Sequence, residues 1–186
     1  MRRLTHVELL YRPGERALAA RFFDLLGCET VDRGGHWFTT FVEPNGERDF
    51  ATNVLYASEV GATQWAFEQS LAAAPGVDAY VRFLRADPQH SAHFGFRVAT
   101  ESELDAIVER VRRAGDADPV LAGRVAVDGV YRPDQPDAIA PNMVQAFIWT
   151  DVVAAGPLAL GQHIEIQWHI RQAAPRGRVV EPGEME

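Results

Sequence analysis

From Thr5 to Tyr11 the chain alternates: Thr5, Val7 and Leu9 fall on one side of an extended backbone, His6 and Glu8 on the other. That two-residue period predicts a half-buried strand over residues 4–11. Leu18, Phe22, Leu25 and Leu26 then recur at helical spacing after Pro13-Gly14, and Gly27 stands where a left-handed residue would end a helix. Residues 28–32, 36–43 and 50–58 read as three strands, with turns at Gly34-Gly35 and at Pro44-Asn45-Gly46. The predicted order is strand, helix and three strands.

The order recurs further on. Ala92, Phe94, Phe96 and Val98 alternate with His93, Gly95 and Arg97. Thr100 and Glu103 have the spacing of a capping box, and Leu104, Ile107, Val108 and Val111 make an apolar helical stripe that Gly115 is expected to close. Residues 119–127, 143–152 and 162–170 follow as three strands. His6 precedes Gly27 by nearly the interval at which His93 precedes Gly115, which predicts an internal structural duplication. The expected fold class is α+β: two tandem βαβββ modules, residues 4–59 and 90–170, in a single domain over 1–186. Helical spacing on both sides of Pro75-Gly76 predicts a helical insert over 60–89. Pro133, Pro136 and Pro141 predict a long loop over 128–142, and residues 171–186 read as a fraying tail.

Composition narrows the partners. A chain of 186 residues, 47% hydrophobic and 24% charged, can pack a globular core. Its net charge of −8 argues against a nucleic-acid or anionic-membrane surface, leaving a small-molecule substrate and a second copy of the chain, as a homodimer, as expected partners. Cys28 is the only cysteine, so no internal disulfide forms, and it reads as a packed strand residue. Neither a secretion signal nor a membrane-spanning run is visible, so a cytoplasmic setting is expected.

The last strand carries the sharpest chemical signal. Ile164, Ile166, Trp168 and Ile170 alternate with His163, Glu165, Gln167 and His169, an apolar row against a polar one. A carboxylate turned inward needs a cation or a strong partner. Arg97 is one candidate. His6 and His93, at matching places in the two first strands, suggest another: two imidazoles and one carboxylate are the ligands of the facial triad that binds iron(II) and leaves positions open for substrate and oxygen. His6, His93 and Glu165 are therefore the expected metal ligands, with ordinary hydrogen-bonded histidines as the alternative. Trp37, Phe38, Phe41, Phe147 and Trp149 are either core or the wall of a site for a ring-shaped ligand.

In these residues the chain resembles the vicinal oxygen chelate superfamily, which contains glyoxalases, extradiol dioxygenases, epimerases and antibiotic-binding or antibiotic-modifying proteins. Leu4-Thr5-His6-Val7, Ser91-Ala92-His93-Phe94-Gly95-Phe96 and His163-Ile164-Glu165-Ile166 carry the resemblance, which runs from about Leu4 to Ile170. It implies an open, barrel-like sheet of eight strands around a divalent metal, iron(II) first, with manganese(II), zinc(II) or nickel(II) as alternatives. Glyoxalase I-like members add a carboxylate ligand from the fourth strand, where Asn53 is the nearest equivalent; the three-ligand extradiol dioxygenases match better. Their acid–base groups imply catalytic roles for His163, His169 and Tyr56, with Tyr131 a further candidate. The implied function is a metal-dependent, extradiol-type dioxygenase acting on a catechol-like or vicinal-oxygen substrate. A lyase, isomerase or epimerase of the same superfamily, and a metal-free protein that sequesters an aromatic drug or metabolite, are the alternatives.

Overall fold

The computed structural model describes residues 5–44, 46, 48, 50, 53–138 and 140–170. Leu4, Ala51 and Thr52 of the expected strands, and the expected tail, lie outside the described residues. The first run of elements is β1 (His6–Tyr11), α1 (Arg16–Leu25), β2 (Glu29–Val31), β3 (Trp37–Phe41) and β4 (Val54–Glu59). Two helices follow, α2 (Ala62–Ala72) and α3 (Val77–Ala86), broken at Gly76, whose φ of 90° suits a glycine. The second run is β5 (His93–Arg97), α4 (Glu101–Ala117), β6 (Val125–Tyr131), β7 (Met143–Thr150), β8 (Val153–Ala154) and β9 (Gln162–His169). Among the described residues no helix is long and apolar enough to cross a membrane.

The strands form two mixed sheets, ordered β2-β3-β4-β1-β8 and β5-β9-β7-β6. In the first, β1 runs parallel to β4, which pairs antiparallel with β3, and β3 with β2. In the second, β5 runs parallel to β9, which pairs antiparallel with β7, and β7 with β6. Each sheet therefore sets its first strand beside its last. The expected single eight-stranded barrel-like sheet is not what forms: nine strands lie in two separate sheets with no closed barrel among the described residues. β8 pairs with β1 at Leu10 and Tyr11, β5 ends its own sheet, and no backbone ladder joins β1 to β5 among the described residues.

Side chains join the two sheets instead. One apolar cluster contains Leu9, Tyr11, Leu55 and Ala57 of the first sheet, Phe22 and Phe23 of α1, Leu104, Ile107 and Val111 of α4, and Ile148, Ile164 and Ile166 of the second sheet. Removing that area from water is the main stabilising term for such a packed interior. Cys28 is buried in the cluster one residue before β2, and burial pushes its thiol up to about 12, so it packs rather than reacts.

The expected ends of α1 and α4 are met at two places and not at a third. The backbone N–H of Glu103 donates to Thr100 Oγ1 at 3.1 Å, as the capping pattern predicts, while Glu103 Oε2 accepts from the backbone N–H of Ala99, one residue before the cap, at 3.1 Å. Gly27, with φ 79°, ends α1 as expected. Gly115 does not close α4, which continues to Ala117. It is a glycine because β6 passes close by: a Cβ there would come within 2.6 Å of the Val125 carbonyl oxygen. The expected 128–142 loop is also shorter, because residues 128–131 belong to β6, with a bulge between Val127 and Gly129.

Candidate functional site

Alternation along β9 puts Ile164 and Ile166 into the core and turns His163 and Glu165 to the opposite face. Parallel pairing with β5 sets His93 against His163 and Gly95 against Glu165, so both histidines and the carboxylate share one face. Gln145 of β7, paired with Gln167, joins them. At Gly95 a side chain would crowd the carboxylate: a Cβ there would meet the Glu165 carbonyl oxygen at 2.9 Å and its Oε2 at 3.1 Å.

Glu165 is 4% exposed. Gln145 Nε2–H donates to its Oε1 at 2.5 Å and Gln167 Nε2–H donates to its Oε2 at 2.8 Å. The carboxylate only accepts, which fixes the amide sense of Gln167, so its Oε1 in turn accepts from His169 Nε2–H at 3.0 Å. Arg97, the sequence candidate for this carboxylate, makes no ion pair with it. The ionisable partner is His93, whose Nε2 lies 3.5 Å from Glu165 Oε2. His93 Nδ1 sits 2.8 Å from the Ser91 carbonyl oxygen, an acceptor only, so Nδ1 carries the hydrogen and the neutral ring keeps its lone pair on Nε2. The ring also meets Phe147 edge-on, with centroids 5.1 Å apart.

His163, 3% exposed, belongs to a second network. Its Nε2–H donates to Asp128 Oδ2 at 3.0 Å, and Arg85 of α3 donates to the same carboxylate from Nε at 2.9 Å and from Nη2 at 2.7 Å. The Arg85 guanidinium lies 4.3 Å from the Trp149 ring centroid. Burial alone would raise the Asp128 carboxyl; the bonds from His163 and Arg85 outweigh it and hold it below its ordinary range.

His6 stands on the first sheet. Its Nδ1 is 3.0 Å from Thr5 Oγ1 and its ring centroid 5.3 Å from that of Tyr56. It shares a cavity of about 320 Å³ with Asn53, Phe94 and Gly95, so β1 and β5 flank the same opening. The structure thus brings His93 and Glu165 together and leaves His6 across that cavity; no group of three or more His, Cys, Asp or Glu side chains placed to hold a metal occurs among the described residues. Tyr56 belongs to the His6 side, with its hydroxyl donating to the Phe50 carbonyl at 3.3 Å. By register it is Tyr56, opposite Glu8, that matches Glu165, opposite Gly95. Asn53, the expected equivalent, precedes β4 in a left-handed conformation, φ 56°.

Sequence reasoning missed Gln145, Asp128 and Arg85. For Gln145 a signal exists: it is the polar residue on the Phe147 and Trp149 face of a strand that is otherwise apolar at its centre. Nothing local links Arg85 to Asp128.

No protein-family model matches the sequence, and no curated protein does. Among solved structures the chain is similar to a Bacillus anthracis protein named for the glyoxalase family, at 14% identity over 91% of this chain and 96% of that one, with a TM-score of 0.45. It is also similar to the oxidase ChaP-H2, at 17% identity over 95% and 99% of the two chains, TM-score 0.41. A third is SA1046 from S. aureus, at 12% identity over 90% and 94%, TM-score 0.44.

Proposed function

We propose that the polar face of the second sheet is the centre of a metal-dependent enzyme of the glyoxalase and dioxygenase type, with His93, Glu165 and His6 as ligands of one divalent ion. One observation carries this reading: the Nε2 lone pair of His93 faces the buried Glu165 carboxylate at 3.5 Å. Two acceptors so placed repel unless a proton or a cation lies between them. An imidazole whose other nitrogen is held by a backbone carbonyl is also the usual form of a metal-bound histidine. The matching strand order of the two sheets supports tandem βαβββ modules in which His6 and His93 are equivalent.

The donor set suits iron(II), with manganese(II), zinc(II) or nickel(II) as alternatives. When bound, such an ion supplies Lewis-acid polarisation of vicinal substrate oxygens and, as iron(II), redox chemistry with dioxygen. The chain does the rest. Gln145 and Gln167 fix the carboxylate, Asp128 fixes the tautomer of His163, and His163 keeps Nδ1 as a proton acceptor in the cavity it lines with His93. Ring cleavage of a catechol-like substrate is the reaction we assign.

A metal-free binding protein is the second reading, favoured by the amide donors that already satisfy both Glu165 oxygens. Metal analysis of protein purified without chelators separates the two. The enzyme reading expects about one ion per chain, lost in Glu165→Gln and His93→Ala, and oxygen uptake with catechol that needs iron(II). Protein that stays free of metal after incubation with iron(II), manganese(II), zinc(II) and nickel(II) under argon overturns it.

A further inference from the structure

Three times in this chain a ring and a carboxylate share an arginine. Arg16 lies over Phe38, 5.6 Å from the ring centroid, and pairs with Asp32. Arg48 lies over Phe41 at 5.7 Å and pairs with Glu29, the residue opposite Phe41 in the sheet. Arg85 lies over Trp149 at 4.3 Å and pairs with Asp128. The negative face of the ring and the carboxylate together suit a weakly hydrated cation.

A fourth such set stands on the face of the first sheet opposite Leu9 and Ala57, and among the described residues no arginine lies over its rings. Trp37 and Tyr56 meet there at 81°, with centroids 5.8 Å apart, and form a corner. Trp37 is 52% exposed, and its neighbour across the strand pair is Ser58, too small to cover an indole. Glu8 of β1 lies opposite Tyr56 and is exposed. Its Oε1 accepts from Ser58 Oγ at 2.6 Å, which ties the carboxylate to the residue beside Trp37, and its Oε2 has no partner among the described residues.

We infer that this corner binds a methylated ammonium ion, with its methyl groups against the Trp37 and Tyr56 rings and its charge facing Glu8. Two rings at a right angle touch a rounded cation on two sides, whereas a flat guanidinium stacks on one ring. The net charge of −8 adds a general attraction for cations. Neither His93 nor Glu165 takes part, so the inference goes beyond the metal reading.

The test uses the whole chain stripped of metal with EDTA at low ionic strength. Choline is titrated against it, with 3,3-dimethylbutan-1-ol as the uncharged analogue of the same shape and methyl β-glucoside as an uncharged ligand that stacks on exposed rings. The indole ¹H–¹⁵N signals and saturation transfer to the ligand methyl groups are followed by NMR. The Trp37 signal is the one absent from Trp37→Leu. Choline should move this signal saturably and bind about fivefold more tightly than the alcohol. Binding should be about threefold weaker in Glu8→Gln, which keeps the acceptor for Ser58, and about fivefold weaker in Trp37→Leu. Glu8→Gln serves alone if the other variant does not fold. No saturable binding of choline, equal affinity for the alcohol, tighter binding of the glucoside, or unchanged affinity in Glu8→Gln overturns the inference.

Discussion

His163 donates to Asp128 across 3.0 Å, and this buried pair is where the helical insert is fastened to the second sheet, because Arg85 of α3 closes on the same carboxylate. The Asp128 side chain is 7% exposed. A carboxylate so placed is tolerated because both of its oxygens accept hydrogen bonds from positively charged or polarised donors.

Asp128→Asn should destabilise the fold by about 2 kcal/mol, and Arg85→Met by a similar or smaller amount. The double variant should cost less than the sum, since the two side chains form one unit. Urea unfolding of the four proteins measures the coupling. The Asp128 carboxyl is held below its ordinary range, so its contribution is complete above the unfolded carboxylate value and is lost as pH falls through the folded one. The gap between parent and Asp128→Asn should therefore shrink towards acid pH.

Glu165→Gln separates charge from shape. Without metal, it removes a buried negative charge but sets an amide N–H donor against the Gln145 or Gln167 donor, so thermal stability should fall modestly. With iron(II), manganese(II) or zinc(II) added, the parent should gain melting temperature and the variant should not, because an ion bound only by the folded state stabilises it by mass action. Equal metal-induced shifts in the two proteins would remove Glu165 from the ligand set.

Gly115→Ala reverses the usual sign. At an exposed helix position this substitution is stabilising by up to about 1 kcal/mol. Here the added Cβ would lie 2.6 Å from the Val125 carbonyl oxygen, which is backbone and cannot swing away. Overpacking of this kind costs about 1–3 kcal/mol, so the variant should unfold at lower urea concentration than the parent.

Asp32 offers a pH test remote from the site. Hydrogen bonds from Arg16, then from the Gly34 N–H, lower its carboxyl to about 2, against partial desolvation. Its contribution is fully present above the unfolded carboxylate value near 4 and is lost as pH falls to about 2. Asp32→Asn should flatten the stability profile within that window and leave the profile above pH 5 parallel to the parent's. The side chain is largely solvated, so the effect should also diminish at high salt.

What the sequence determined by itself is local. The alternation of Ile164 and Ile166 with His163 and Glu165 assigned the two faces of β9, because successive strand side chains must point to opposite sides. Thr100 and Glu103 marked the start of α4, and Gly27 the end of α1, because helix ends leave backbone groups that only certain residues satisfy. His93 and Glu165 were named as neighbours through their strands, and they meet. Only the tertiary structure decided how strands far apart in sequence share their edges. No ladder joins β1 to β5 among the described residues, and His6 lies beside Tyr56 of its own sheet while Glu165 belongs to the other. The tertiary structure also decided that Gly115 lies inside a helix, that Asp128 belongs to β6, and that Gln145, Gln167 and His93, not Arg97, surround the buried carboxylate. Those outcomes depend on how closely two backbones approach and how far a side chain reaches across them, and neither quantity is written in the period of either strand.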